Sequence, residues 1–306
     1  TVADLVPAPS TVIKWYTVAF GGTSLTNATA LTTGTYYVSE INANGCESER
    51  TTVAVTINIP ATHLNFDGVN DYVTLSNNVG NTISGGSAIT IEYWFKGTNV
   101  QSAVRLQAQN SPSYIVAGWN LAAGQTKFLV STDGGTTGVN SAPPAIIQDN
   151  TWHHLAFVWK KNEIFATYLD GVLQNSRQAG NVNLPIFPAT GVGFLGRLIG
   201  GEEYTNGNLD EVRIWNVART ATQINASKNC ELQGNEPGLL AYYNFNQGIG
   251  GASNTTITSL TSSVSGGPNG TLQNFALTGT TSNWLAGSPI VNGVTVPNAP
   301  TALAQS

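Results

Sequence analysis

The sequence predicts an all-β protein, and three observations lead to this fold class. Short runs rich in Val, Ile, Thr, Tyr, Phe and Trp recur along the chain, with turns rich in Gly, Asn and Pro between them. Hydrophobic residues make up 41% of the 306 residues, which is enough for a core, whereas charged residues make up only 9%. Disordered chains combine low hydrophobicity with high charge density, so this composition predicts folded β modules.

Two segments show the alternation that is typical of strands with one buried face. The positions that share a face in the first segment are Ile89, Ile91, Tyr93 and Phe95. Those that share a face in the segment 152–160 are His153, Leu155, Phe157 and Trp159. Both segments are therefore predicted as strands that cover a core.

Turn and helix signals are few and specific. Asp170-Gly171 and Asn44-Gly45 predict tight turns, because a type I′ turn needs positive φ at both central residues. Thr220 is a suitable N-cap for a short helix over 221–228, a stretch that contains good helix formers. The glycine pattern at 191–196 matches G-x-G-x-x-G, but no helix pattern follows it, so it predicts a glycine-rich strand rather than a nucleotide site.

The chain divides into a small and a large β module. A strand-like run ends at Pro60, so residues 1–59 are predicted as a small β module. Residues 60–290 are predicted as one large β domain. Residues 291–306, with two prolines, are predicted as a linker or the opening strand of another module.

Charge and motif content exclude several classes of function. The chain has 12 Lys and Arg and 17 Asp and Glu, so its net charge is -5, and it contains no basic cluster. This charge distribution argues against nucleic-acid binding. No apolar run approaches the roughly 20 residues that a spanning helix needs, which argues against membrane insertion. G-x-S-x-G and E-x-D-x-E are absent, and Asp210 and Glu211 are adjacent, so within a strand they should face opposite ways. We therefore expect no enzyme activity.

The segment 65–72 gathers oxygen ligands of the kind that calcium prefers. Asp67, Asn70 and Asp71 lie within five residues, and Gly68 can add its carbonyl. The alternative is a tight turn in which Asp and Asn side chains accept hydrogen bonds from their own backbone, and the local sequence favours that alternative. Asp210 is a candidate partner carboxylate from a distant strand.

Five motifs occur in an order that closely resembles a LamG-like, concanavalin A-like jelly-roll domain. They are the segments 64–73, 89–95, 151–157, 168–172 and 207–215. The stretch that continues to Trp284 resembles the C-terminal part of such domains in large Bacteroidetes surface proteins. The segments 1–5, 13–16, 34–39 and 44–46 resemble an Ig-like repeat of the same proteins.

The resemblance implies a concanavalin A-like jelly-roll β-sandwich that follows a partial Ig-like module. It implies an extracellular adhesin at the cell surface, of the kind that the type IX secretion system exports and that in some cases serves gliding motility. It also implies neighbouring modules of the same long chain as partners. Related sandwiches often hold a structural calcium ion, so we expect Ca2+ bound by Asp67, Gly68, Asn70, Asp71 and Asp210.

Two functions remain open at this point. The first is a binding module that recognises a carbohydrate or surface polymer through exposed aromatic rings, for which Tyr114, Trp119 and Tyr204 are the candidates. The second is a structural spacer in a stalk or filament that has no small ligand.

The two cysteines are expected not to pair. Cys46 and Cys230 fall in different predicted modules, and a disulfide needs Cα atoms within about 7 Å. By the resemblance, the partner of Cys46 lies just before the segment 1–5, outside this chain. Cys230 is expected to be solitary.

Overall fold

The computed structural model describes residues 12–29, 31, 34–55, 62–76, 78–99, 101–107, 113–120, 126–132, 135–140, 148–187, 192–198 and 203–290. The chain divides into two compact units, residues 1–59 and 60–306. Three of the sequence predictions, those for the segment 1–5, the boundary at 59–60 and the linker 291–306, fall outside the described residues. Neither described helix has the length and apolar character needed to cross a membrane.

The small unit contains one antiparallel three-stranded sheet. Its strands, in spatial order, are β1 (Val12–Tyr16), β2 (Gly34–Ile41) and β3 (Thr51–Val55). Trp15, Tyr36 and Val55 form its buried cluster. The chain turns at residues 42–45, where the Gly45 N–H donates to the Asn42 carbonyl and Gly45 has φ +82°, but Asn44 does not have the positive φ of the predicted type I′ turn.

The large unit is a sandwich of two antiparallel sheets. The front sheet has the spatial order β10 (Gly135–Asn140), β9 (Thr126–Thr132), β8 (Tyr114–Asn120), β7 (Gln101–Gln107), β14 (Val192–Leu195), β5 (Tyr72–Leu75), β18 (Gly270–Gln273) and β17 (Ser259–Leu260). The back sheet has the order β13 (Val172–Arg177), β12 (Ile164–Leu169), β11 (His153–Lys160), β6 (Ala88–Asn99), β15 (Asn206–Trp215), β4 (Thr62–Asp67) and β19 (Trp284–Ala286). A further strand, β16 (Leu239–Tyr243), pairs with β15. The predicted all-β sandwich, with a small β module before it, is confirmed.

The core lies between the two sheets, and the predicted alternation fills it. The β6 residues Ile89, Ile91, Tyr93 and Phe95 are all fully buried in the main core cluster. In β11 the core positions are Leu155, Phe157 and Trp159. His153, predicted on the same face as these three, lies at the start of β11 and bonds to Asp170 instead of packing in the core. The segment 191–196 contains strand β14, and this confirms the glycine-rich strand that was predicted because no helix pattern follows the glycines.

One of the two described helices follows from the sequence and the other does not. Helix α2 (Ala221–Ser227) begins at Thr220, whose side chain accepts from the Gln223 N–H, while the Gln223 side chain accepts from the Thr220 N–H. Helix α1 (Asn78–Ile83) was not predicted, because Asn, Gly and Thr have low helix propensity. Burial of Val79 and Ile83 in the main core stabilises it.

Candidate functional site

The Asp67–Asp71 turn has the hydrogen bonds of an Asx turn. The Asp67 Oδ1 atom accepts from the backbone N–H of Val69 at 2.8 Å and from that of Asn70 at 3.4 Å. Gly68 adopts φ +79°, a conformation that favours glycine. These contacts are the ones expected of the Asx turn that the sequence offers as the alternative to a calcium site.

The carboxylate of Asp71 points into the protein. Its side chain is 0% exposed, its Oδ2 accepts from the Asp67 N–H at 3.0 Å, and its Oδ1 accepts from the Ser282 hydroxyl at 2.9 Å. Burial raises the pKa of Asp71 to about 6, although both hydrogen bonds favour the ionised form. Asp71 thus ties the turn to a segment that lies more than 200 residues later in the chain.

The structure does not bring Asp210 to this turn, which corrects the predicted ligand set. Asp67 lies opposite Asn206 in the β15–β4 pair, and Asp210 is four residues further along β15. At about 3.3 Å per residue, this offset is roughly 13 Å. Asp210 instead accepts from the Ser288 hydroxyl and from the Glu211 N–H. In the described part of the chain, no three His, Cys, Asp or Glu side chains are placed to hold a metal ion.

A β-bulge also corrects the expectation that Asp210 and Glu211 face opposite ways. The β15–β6 register shifts between Asp210 and Arg213, and Glu211 has φ +53°. Leu209 and Val212 both point into the core, so the two carboxylates between them lie on the outer face of the back sheet. Burial raises the pKa of Asp210 well above its usual value, and the charge of Glu211 adds to this effect.

This pair of carboxylates is closed off from solvent. The Arg213 Nη2 donates to Glu211 Oε2 at 2.5 Å and to the Cys230 carbonyl at 2.6 Å, and the Tyr242 hydroxyl donates to Glu211 at 2.8 Å. Glu211 is 2% exposed, and Arg213 and Asp210 are 0% exposed. A substrate has no access to these groups, so they fasten the segment before Cys230 to the back sheet.

Thr151, His153 and Asp170 form the described arrangement that comes nearest to a hydrolytic set. Thr151 Oγ1 lies 3.0 Å from His153 Nε2, and His153 Nδ1 lies 2.9 Å from Asp170 Oδ2. However, the Thr151 hydroxyl donates to Asp149 Oδ1 at 2.7 Å, so its proton points away from the imidazole. Asp170 also accepts from the His154 N–H, and the cluster therefore holds the predicted Asp170-Gly171 turn against the start of β11.

Two of the three aromatic residues predicted to bind a ligand lie on one surface of the front sheet. In β7 and β14 the neighbouring residues Val104, Leu106 and Leu195 point into the core, so the residues that alternate with them point outward. We call this outer surface the aromatic face, and its members are Tyr72, Arg105, Tyr114, Phe194, Arg197 and Tyr204.

The half of the aromatic face around Arg197 is a cluster of three rings. The guanidinium carbon lies 4.5 Å from the Tyr72 ring centre, 5.5 Å from that of Phe194 and 5.9 Å from that of Tyr204. The Tyr72 ring lies 5.9 Å from Phe194 and 6.4 Å from Tyr204. An isolated β-bridge between Arg197 and Tyr204 fixes this spacing.

Arg105 continues the face toward Tyr114. Its guanidinium lies 4.7 Å from the Tyr114 ring centre and donates twice to Gln107 Oε1, at 2.8 and 2.5 Å. Arg105 is the direct strand partner of Phe194, which joins the two halves of the face. Burial lowers the pKa of Arg105 to about 10, so this guanidinium remains charged at neutral pH.

Tyr114 and Tyr204 were predicted from the sequence, whereas the residues that connect them on the aromatic face were not. Tyr114 opens β8, and Tyr204 forms a bridge to Arg197. Trp119 also lies in β8, and its side chain falls outside the described residues. In the sequence, the position of Arg105 between the core residues Val104 and Leu106 of β7 indicates an outward-facing arginine at this face. The residues that were missed are Tyr72, Arg105, Phe194 and Arg197.

Comparison with known families decides the classification of the large unit. The family described as concanavalin A-like lectin/glucanases superfamily matches residues 67–225, just over half of the chain. The chain belongs to this superfamily. An Ig-like domain family described as CHU_C-associated matches residues 2–58. The predicted Ig-like and concanavalin A-like domains are thus confirmed.

Several solved structures are similar to this chain at low sequence identity. A proposed carbohydrate-binding protein from Bacteroides ovatus is 19% identical, with a TM-score of 0.51 over 78% of this chain and 66% of that one. The CBM40 of the Ruminococcus gnavus IT-sialidase is 15% identical, with a TM-score of 0.41 over 54% and 95%. Domains LG4-5 of the mouse laminin alpha1 chain are 17% identical, with a TM-score of 0.41 over 53% and 44%.

Other comparisons add two facts about this concanavalin A-like chain. Comparison with curated protein sequences finds no match. No catalytic domain is identified by the family matches.

The two cysteines do not pair with each other in the structure. Cys46 and Cys230 are both free thiols, as the sequence predicted.

Proposed function

We propose that the large unit is a carbohydrate-binding module and that its aromatic face contacts the sugar. The observation that carries this proposal is the cluster of Tyr72, Phe194 and Tyr204 around Arg197. Tyr72 and Tyr204 are half-buried, so each ring is held by its neighbours while part of it faces solvent. Sugar rings present C–H faces that stack on aromatic rings, and their hydroxyl groups need polar partners beside them.

The path of the chain through the large unit favours a binding module over a spacer. Thr62, the first residue of β4, is the strand partner of Ala286, the last residue of β19. Opposed Cα atoms in an antiparallel pair are about 5 Å apart, whereas a domain of this size is roughly 40 Å across. The unit therefore adds almost no length between its entry and exit strands, and a stalk gains little reach from it.

The proposal extends to a secreted, multidomain adhesin at the cell surface. The CHU_C-associated Ig-like family match supports this setting, as does a chain whose polar residues are mostly uncharged. Export by the type IX secretion system and a role in gliding motility belong to the same proposal. They rest on the resemblance to large Bacteroidetes surface proteins.

A glycan panel with two matched variants tests the proposal. Tyr204→Ala removes a ring from the aromatic face, and Phe20→Ala removes a ring that is 91% exposed in the small unit. Loss of one stacked ring costs about 1–2 kcal/mol, so Tyr204→Ala should weaken binding about five- to thirtyfold. Phe20→Ala should leave binding unchanged. The proposal would be refuted if no glycan of the panel bound, or if the two substitutions changed binding equally.

A further inference from the structure

The charges of the front sheet are unusual for this chain. The chain has five more acidic than basic residues, yet the eight described strands of the front sheet contain no Asp or Glu. Those strands contain Arg105 and Lys127, and Arg197 lies two residues after the end of β14. The back sheet, by contrast, contains four acidic side chains, those of Asp67, Glu92, Asp210 and Glu211. The described strands of the front sheet, which carry the aromatic face, thus contribute basic but no acidic side chains.

Among the described residues, neither arginine of the aromatic face has a carboxylate partner. The ion pairs made by arginines in the described residues use Arg50, Arg213 and Arg219. Arg105 donates to the neutral Gln107, and its remaining contact is with a tyrosine ring.

Arg197 has even fewer polar contacts. Its Nε is buried without a hydrogen-bond partner among the described residues, and its guanidinium is surrounded by three rings. Glu203, the described carboxylate nearest to it in sequence, forms no ion pair with it, and the Glu203 Oε2 is likewise buried without a partner. A guanidinium that is held in place by rings, and that has no hydrogen-bond partner among the described residues, can donate from its terminal N–H groups to two oxygens of a planar or tetrahedral anion.

We propose that the sugar bound at the aromatic face is acidic, and that Arg197 binds its carboxylate or sulfate group while Tyr72 and Tyr204 contact the sugar ring. This inference rests on the proposed function. Cation–π contacts orient the guanidinium before the ligand arrives, so little side-chain freedom is lost on binding. Arg105 adds a second positive charge further along the same face, and because it is only 7% exposed, it acts on a bound anion through its electric field rather than by contact.

Matched pairs of polymers separate charge from sugar backbone. Binding of the full chain is measured to polygalacturonate and its methyl ester, and to dextran sulfate and dextran. A preference of at least tenfold for the charged member of a pair is expected, and the pair that shows it distinguishes a carboxylate from a sulfate ligand. Polyglutamate, a polyanion without sugar, should bind at least tenfold more weakly than the preferred polymer.

Two arginine variants test which positive charge of the protein binds the acidic group of the polymer. Arg197→Gln should weaken binding of the preferred polymer by about 10- to 100-fold, since a hydrogen bond to a charged group is worth about 1.5–3 kcal/mol. Arg177→Gln is the control, because Arg177 is an exposed residue on β13 of the back sheet, and it should have no effect. Melting curves of both variants confirm that the fold is retained.

Each remaining outcome overturns a defined part of the account. Equal binding of charged and neutral polymers, equal binding of polyglutamate, or an unchanged Arg197→Gln variant overturns the acidic-sugar inference. Binding of neutral sugars that Tyr204→Ala weakens would leave the proposed function standing while this inference fails. No binding of any sugar overturns both.

Discussion

Replacing Asp71 by Asn should change how folding stability depends on pH, in a direction that the structure fixes. Burial raises the pKa of Asp71 from its usual 3.8 to about 6. A carboxyl whose pKa is higher in the folded than in the unfolded state stabilises the fold fully below about pH 4, and this contribution is lost as the pH rises through 6. Because each tenfold change in an ionisation constant corresponds to about 1.4 kcal/mol, the loss is at most about 3 kcal/mol.

The asparagine variant has no charge to bury at this position. Its stability relative to the wild type should therefore rise by up to about 3 kcal/mol between pH 4 and pH 7.5. Urea unfolding followed by tryptophan fluorescence measures this difference, and six of the seven tryptophans lie in the large unit. Glu163→Gln, at an exposed turn, is the control and should show no such trend. A difference in unfolding free energy between Asp71→Asn and the wild type that stays constant from pH 4 to about pH 7.5 would refute the reasoning.

The same pair of proteins tests the predicted calcium ion. Calcium bound by Asp67, Gly68, Asn70 and Asp71 would hold Asp71 ionised, and would stabilise the wild type by about 2.7 kcal/mol at one hundred times its dissociation constant. Added calcium would then remove the pH trend of the difference, and EDTA would restore it. A trend that persists unchanged in excess calcium would contradict a calcium site that includes Asp71.

Three further predictions concern the parts that hold the large unit together and the free thiols. Arg213→Leu should destabilise it by about 3–5 kcal/mol in urea unfolding, because the buried Glu211 carboxylate loses its cation, and a loss under 1 kcal/mol would contradict the buried network. Thr220→Ala should lower its stability by about 1 kcal/mol through the lost helix cap, and no measurable change would show that the cap is dispensable. Thiol titration should find two thiols in the denatured chain. In the native chain, Cys46 should be labelled faster than Cys230, because Cys46 is exposed. A disulfide between the two cysteines in mass spectrometry would contradict both statements.

Local sequence rules predicted those parts of the fold that depend on neighbouring residues. The inward face of β6 follows from the two-residue period of a strand, and the Asp170-Gly171 turn follows from its need for positive φ. Helix α2 follows from its capping residues. Helix α1 could not be predicted, because burial of Val79 and Ile83 outweighs the poor helix propensity of its residues.

The site depends on strand register, which local rules do not provide. The bulge at Glu211 breaks the two-residue period and turns two adjacent carboxylates to the same side. The register of β15 against β4 separates Asp210 from Asp67, although both belong to motifs of the same domain. Tyr72 and Arg197 meet because β14 pairs with β5, two strands that are more than 100 residues apart in the sequence.

Chemical-shift mapping of the isotope-labelled chain during a sugar titration shows which residues contact the sugar. The sugar used is the polymer fragment that binds best in the panel. The account predicts that the largest shifts occur at Tyr72, Arg197, Tyr204 and their neighbours in β5 and β14, with smaller shifts near Arg105. Shifts that concentrate on the back sheet or in residues 12–55, with the aromatic face unperturbed, would contradict the claim that this face binds the sugar.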